Sequence, residues 1–104
     1  MSTFKTIQDL TEAELEKVAG QFRILGEPMR LKILQAIHAR PLTVGEIVTA
    51  TGATQSNISK HLSLLASSGV ITRHKDGQFV YYGMSNRLTM KVCELVHREL
   101  LKQS

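Results

Sequence analysis

Apolar residues recur every third or fourth position along most of this chain, the period of a helix with one buried side. Leu15, Val18, Ala19, Phe22 and Leu25 form the first such stripe. Thr11 stands ahead of it with Glu14 three positions on, the spacing of a capping box, a device typically worth ~1 kcal/mol. The pattern predicts a helix from about Glu12 to Leu25 that breaks at Gly26, preceded by a loosely held arm over residues 1–10. Pro28 fits the first turn of a second helix, because its fixed backbone angle suits that position and an N–H there has no partner anyway. Leu31, Ile33, Leu34 and Ile37 supply its core side, and Pro41 closes it. Arg30 and Lys32 on this helix are either simple surface charges or contacts to phosphates at an interface edge. Leu42 is expected to begin a short extended segment. Thr43 and Glu46 repeat the capping spacing before a third helix over Val44–Thr51, with Val44, Ile47 and Val48 facing inward.

Gly52 ends that helix, and Thr51-Gly52-Ala53 reads as a tight turn with glycine where a left-handed backbone is easiest. Thr54 then caps a fourth helix extending to Ala66. Its two faces differ in kind. Ile58, Leu62 and Leu65 make a buried stripe, while Gln55, Ser56, Asn57, Ser59, Lys60 and Ser63 gather opposite. A surface helix usually carries long charged residues, yet this face has short hydroxyl and amide groups, one positive charge and no acid. Such side chains suit DNA: Asn and Gln pair bidentately with adenine, Ser donates or accepts, and Lys reaches guanine or a phosphate. A solvated helix that happens to lack charge is the plainer alternative. Two helices joined by a glycine turn, the second polar-faced, form the helix-turn-helix pattern and favour DNA binding.

After Ala66 the period shortens. Ser67-Ser68-Gly69 is a turn signal, Val70 to Lys75 leans toward strand, Asp76-Gly77 signals a two-residue hairpin turn, and Phe79 to Tyr82 returns. The hairpin tip carries Arg73, His74, Lys75 and Gln78, placed to lie across the DNA backbone or enter the minor groove. Ser85-Asn86 is expected to cap a last helix from about Arg87 to Lys102, with Leu88, Val92, Leu95, Val96 and Leu100 or Leu101 in one stripe. The expected fold is mainly α with a β-hairpin wing, a winged helix-turn-helix with the hairpin between the fourth and fifth helices. Segments 11–25 and 86–102 are expected to form a two-fold dimer interface, with packing inside one subunit as the alternative; 43–66 is the helix-turn-helix and 70–84 the wing.

Composition narrows the partners. At 104 residues and 42% apolar content the chain suits one domain with a modest core. The net charge is +4, and it is uneven: the first 52 residues carry six Lys/Arg and six Asp/Glu, the last 52 seven and three. The excess lies with the polar helix and the hairpin, which favours a polyanion. Cys93 is the only cysteine, so neither an intrachain disulfide nor a cysteine cluster for zinc is available. The first residues lack the basic start and apolar run of a signal peptide, and no apolar stretch reaches the length of a membrane span; a soluble cytoplasmic protein is expected. No nucleophile, base and acid stand in a recognisable catalytic arrangement and no glycine-rich phosphate loop occurs, so the sequence does not read as an enzyme.

Four segments in order give the chain a wider likeness: L-G-E-P-M-R-L-K-I-L at Leu25 to Leu34, L-T-V-G-E-I at Leu42 to Ile47, Q-S-N-I-S-K-H-L at Gln55 to Leu62, and V-Y-Y at Val80 to Tyr82. Across nearly its full length the sequence resembles the ArsR/SmtB family of bacterial winged-helix repressors, the Q-S-x-x-S-x-H-L string being the most specific piece. The resemblance implies a homodimer that binds a palindromic operator in double-stranded DNA, represses transcription, and releases the DNA when an inducer binds or a thiol is oxidised. It places Ser56, Asn57, Ser59 and His61 at recognition-helix positions. Ser56 and Asn57 near the helix start suit base and phosphate contacts, Ser59 lies one turn along, and Lys60 suits a phosphate. His61 either joins them or hydrogen-bonds within the domain.

The sensing chemistry departs from the family's best-known members. Where metal sensors often place a C-V-C pair at the start of the third helix, this chain has Thr43-Val44-Gly45, which cannot bind a soft ion. Where a second family site uses carboxylate and His on the last helix, only His97 remains, beside Asn86 and Leu88. Cys93 and His97, four apart on one helical face, are weak candidates for a metal or thiol role, with packing of Cys93 as the other reading; no resident cofactor is expected and the inducer is unassigned. Two functions compete: a homodimeric DNA-binding repressor of an adjacent operon, and a winged-helix module that binds an acidic protein partner.

Overall fold

The computed structural model describes residues 5–103; residues 1–4 of the expected arm lie outside them. A short 3-10 turn (Ile7–Asp9) is followed by α1 (Glu12–Leu25), α2 (Pro28–Ile37), α3 (Val44–Thr51), α4 (Gln55–Ser67), the antiparallel strands β1 (Ile71–Asp76) and β2 (Phe79–Met84), and α5 (Leu88–Lys102). This is the winged helix-turn-helix order. Among the described residues no helix is long and apolar enough to cross a membrane.

Both capping boxes form. Thr11 Oγ1 accepts the N–H of Glu14 at 3.1 Å and Glu14 Oε1 accepts that of Thr11 at 2.9 Å; Thr43 and Glu46 do the same at 3.2 and 3.0 Å. The segment before α1 is better anchored than its sequence indicates, because Lys5 Nζ pairs with Glu14 Oε1 at 2.9 Å. The Thr11 N–H, with the Lys5 ammonium beside it, lowers the Glu14 carboxyl from the ordinary 4.5 to about 2. A carboxylate depressed by folding adds stability above its unfolded value and loses it as pH falls through the folded one. Glu14→Gln should therefore flatten the loss of melting temperature between about pH 4.5 and pH 2. Curves for parent and variant that run parallel across that window would contradict this account of the cap.

The core is wholly aliphatic: Ile33, Leu34 and Ile37 from α2, Leu42, Ile47 from α3, Ile58, Leu62 and Leu65 from α4, and Val70 and Ile71 at the wing base. Burial of these side chains, each worth about 1.5–3 kcal/mol, fixes α4 against α2 and α3. Two expectations shift. Leu31 is 37% exposed and lines a groove with Phe22, Leu25, Val92 and Val96 instead of the core. Helix α2 ends at Ile37, four residues before Pro41, so the proline follows the stop without causing it. Leu42 then pairs with Tyr82 through two backbone hydrogen bonds, N–H to O at 3.0 Å and O to N–H at 2.8 Å, which clamps the wing base to the segment entering α3.

Candidate nucleic-acid interface

The polar face of α4 is set by the turn before it. Gly52 adopts φ 75°, a left-handed conformation that glycine reaches without penalty, and its N–H donates to the Val48 carbonyl at 2.8 Å. Thr51 is the last residue of α3, as expected, its hydroxyl donating to Ile47 O at 2.8 Å. The chain reverses over Gly52, Ala53 and Thr54, and Thr54 Oγ1 accepts the N–H of Asn57 at 3.2 Å. With Ile58, Leu62 and Leu65 buried, Gln55, Ser56, Asn57, Ser59, Lys60 and Ser63 are left exposed on one side. Thr54 is exposed too, though its oxygen is engaged as the cap.

His61 departs from that group. Its side chain is 16% exposed and its Nε2 lies 3.8 Å from Glu27 Oε2 at the start of α2, so it faces the domain and not the open side of the helix. Glu27 is itself a cap, accepting the N–H of Arg30 at 2.9 Å; that bond, with His61 nearby, lowers its carboxyl below the ordinary range. The Arg30 side chain is no free surface charge either. It donates to Ile24 O at 2.6 Å and to Arg23 O at 3.2 Å, whereas Lys32 is exposed. A glutamate before proline is a recognisable helix start, but nothing in local spacing pairs it with a histidine on another helix.

In the wing, Asp76 pairs with Phe79, so the turn residues are Gly77 and Gln78, one position later than Asp76-Gly77. Gly77 has φ 64° and no other residue of the turn has positive φ, as the first position of a type II′ turn requires. The register separates the basic residues. Arg73 lies opposite Tyr82 and Lys75 opposite Val80, on the face whose base seats on the core at Ile71 and Met84; His74 lies opposite Tyr81 on the other face. Arg73, Lys75 and Gln78 are exposed. The ion pairs among the described residues engage Lys5, Arg23, Arg40, His61 and Lys102, which leaves Lys60, Arg73 and Lys75 among the basic residues without a carboxylate partner. Cations beside an acid-free polar helix form a surface suited to a phosphate backbone.

A second surface is apolar. Phe22, at 56% exposure, and Val96, at 51%, flank a groove of about 340 Å³ between α1 and α5 that also contains Cys93 and His97. No residue of α1 or α5 is fully buried within the chain. Asn86, through Oδ1, accepts the N–H of Leu88 at 2.9 Å and starts α5, while the backbone N–H of Ser85 donates to Val70 O instead of the serine side chain capping the helix. Burial raises the Cys93 thiol above its ordinary value, with the Glu94 carboxylate adding to the effect, which disfavours the reactive thiolate. Thr43, where metal sensors of the family often have cysteine, is a helix cap. No cluster of three or more His, Cys, Asp or Glu placed to hold a metal occurs among the described residues.

This geometry has counterparts. The pattern of the bacterial regulatory proteins of the arsR family matches residues 27–73, the stretch from the Glu27 cap through Arg73 of the wing. The cadmium resistance transcriptional regulatory protein CadC of Listeria innocua is 37% identical over 87 residues, covering 83% of this chain and 73% of CadC. The chain belongs to the ArsR family. Other family members agree in sequence and in shape. The transcriptional repressor SdpR of Bacillus subtilis is 34% identical over 64 residues, 62% of this chain and 71% of SdpR. Mb0332 of Mycobacterium bovis, solved as a homodimeric winged helix-turn-helix DNA-binding domain, superposes with a TM-score of 0.77 at 27% identity, over 96% of this chain and 90% of that domain. As an ArsR-family protein the chain is a DNA-binding transcriptional regulator, and the reading as a protein-interaction module without DNA binding falls away.

Proposed function

We propose that this ArsR-family protein is a homodimeric repressor that reads a palindromic operator with α4 and the wing. The observation that carries the reading is the exposed, acid-free face of α4 beside cations that no carboxylate neutralises. In this arrangement Gln55, Ser56 and Asn57, at the amino end of the helix, meet base edges and phosphates, aided by the helix dipole. Ser59 lies a turn further along, Thr54 borders the contact, and Lys60, Arg73, Lys75 and Gln78 hold the backbone. The exposed apolar faces of α1 and α5 are the dimer contact, which sets two reading helices at the spacing of two half-sites and doubles the readable sequence. Repression fits the name of SdpR, and the homodimer that of Mb0332. A DNA target fits a cytoplasmic protein.

The test is selection of tight binders from randomised duplexes, followed by a promoter reporter carrying the selected site. The expected outcome is an inverted repeat, bound with a steep inverse dependence on salt, that lowers reporter output. Selection of no common sequence, or a reporter that rises, would refute the reading. The cadmium of CadC's name is not carried over, given Thr43-Val44-Gly45 at the position considered above. Cys93 is assigned to packing: Cys93→Ser should leave operator affinity within about two-fold, as expected for a near-isosteric, uncharged change away from the DNA-reading face. If that variant abolished release by an oxidant or a metal ion, the packing role would be wrong.

A further inference from the structure

The reading helix is held by polar contacts as well as by its apolar stripe, and those contacts run continuously to α1. The Arg30 guanidinium satisfies two carbonyls in the last turn of α1, Ile24 O and Arg23 O, at 2.6 and 3.2 Å. The backbone N–H of Arg30 donates to Glu27 Oε2 at 2.9 Å, and that same oxygen lies 3.8 Å from His61 Nε2 in the middle of α4. Near the other end of α4, Gln21 Nε2 on α1 donates to the Ser68 carbonyl at 3.3 Å. Helix α1 is therefore tied to α4 at two separate places.

Those ties have a physical use. Hydrophobic burial is non-directional, so the stripe of Ile58, Leu62 and Leu65 holds α4 close without fixing its roll and slide to the tolerance that base contacts need, about 0.5 Å. The hydrogen bonds of Arg30 and Gln21 are directional, and the Glu27–His61 approach, longer than a hydrogen bond at 3.8 Å, adds a polar contact where α2 meets α4. We propose that Glu27, Arg30 and His61 are positioning residues that set the orientation of α4 against α1, so that His61 supports operator binding without touching DNA. The inference rests on α4 being the DNA-reading helix. Because α1 also carries part of the apolar face assigned to the dimer contact, the same ties fix each reading helix relative to the two-fold axis.

The experiment compares Glu27→Gln, which keeps an acceptor for the α2 cap, with His61→Leu, which keeps bulk, and His61→Gln, which keeps a nitrogen donor near the position of Nε2. Operator affinity of the full-length protein is measured alongside melting temperature. Glu27→Gln and His61→Leu should each weaken operator binding by about five-fold, the scale of a partly exposed polar contact, with melting temperature lowered by no more than about 5 °C. Their combination should be no worse than either alone, and His61→Gln should recover most of the loss. Parental affinity in His61→Leu overturns the proposal, as does a loss in His61→Leu that Glu27→Gln does not share, which would mark a direct DNA contact. Failure of His61→Gln to recover binding overturns it too. Ser56→Ala/Asn57→Ala, measured in parallel, separates the two levels: if that variant keeps full operator affinity, the reading of α4 itself fails, whereas if it loses affinity while the Glu27 and His61 variants do not, only the positioning role fails.

Discussion

Val96→Glu is expected to yield a folded monomer that no longer holds its operator. Val96 is half exposed in the single chain and lines the α1–α5 groove, and it does not belong to the core formed by α2, α3, α4 and the wing base. The substitution therefore leaves the fold intact. In the dimer it buries an unpaired carboxylate, at about 3–5 kcal/mol for each copy. The two-fold axis places the change twice, so the dimer dissociation constant should rise by at least about ten-thousand-fold. Sedimentation or light scattering should find a monomer with an unchanged circular dichroism spectrum, and affinity for the full palindrome should fall toward that for a single half-site. A variant that stays dimeric would move the subunit contact away from α1 and α5.

Ser56→Ala combined with Asn57→Ala is expected to weaken sequence preference sharply while leaving the protein folded. Both side chains are exposed, and the hydrogen bond that caps the helix uses the backbone N–H of Asn57, which the substitution keeps. Each lost base contact costs about 1–3 kcal/mol, so operator affinity should fall by about a hundred-fold if both residues read bases. On the proposed reading, binding to random duplex rests on phosphate contacts by Lys60, Arg73 and Lys75, and should change little, with its salt slope retained. Equal losses on operator and random DNA would remove base reading from this helix. The contrast between these two variants is informative because one acts through the symmetry of the assembly and the other through the chemistry of a single face.

The elements were legible because their signals are local. Capping spacings at Thr11 and Thr43, the glycine turn at Gly52, and the change of period after Ala66 each depend on residues a few positions apart, and the helices begin where those signals stand. The stripe of α4 was legible for the same reason, since Ile58, Leu62 and Leu65 have one burial fate dictated by helical period. What escaped depends on residues far apart in the chain. Leu31 has the period of a core residue, yet the direction it faces is decided by where α5 lies. His61 could be read either as a DNA contact or as a residue turned into the domain, and the approach of Glu27 from α2 is what decides its inward direction. Arg30 looks like a solvated charge until the end of α1 folds back over it. The wing turn fell one residue off because Asp-Gly and Gly-Gln are both acceptable two-residue loops, and cross-strand pairing chooses between them. The acid-free face of α4 was visible from the sequence alone, and the structure adds that Arg73 and Lys75 share the wing face whose base, at Ile71, seats on the core.

The most direct measurement is amide chemical-shift mapping of the isotope-labelled dimer titrated with its selected operator. The largest changes should fall on the backbone of Gln55 to Lys60, on the side-chain amides of Gln55, Asn57 and Gln78, and on Arg73 and Lys75 of the wing, with the apolar side of α5 unmoved. A footprint that bypasses the exposed side of α4 and settles on another surface would contradict the assignment of that helix as the DNA reader.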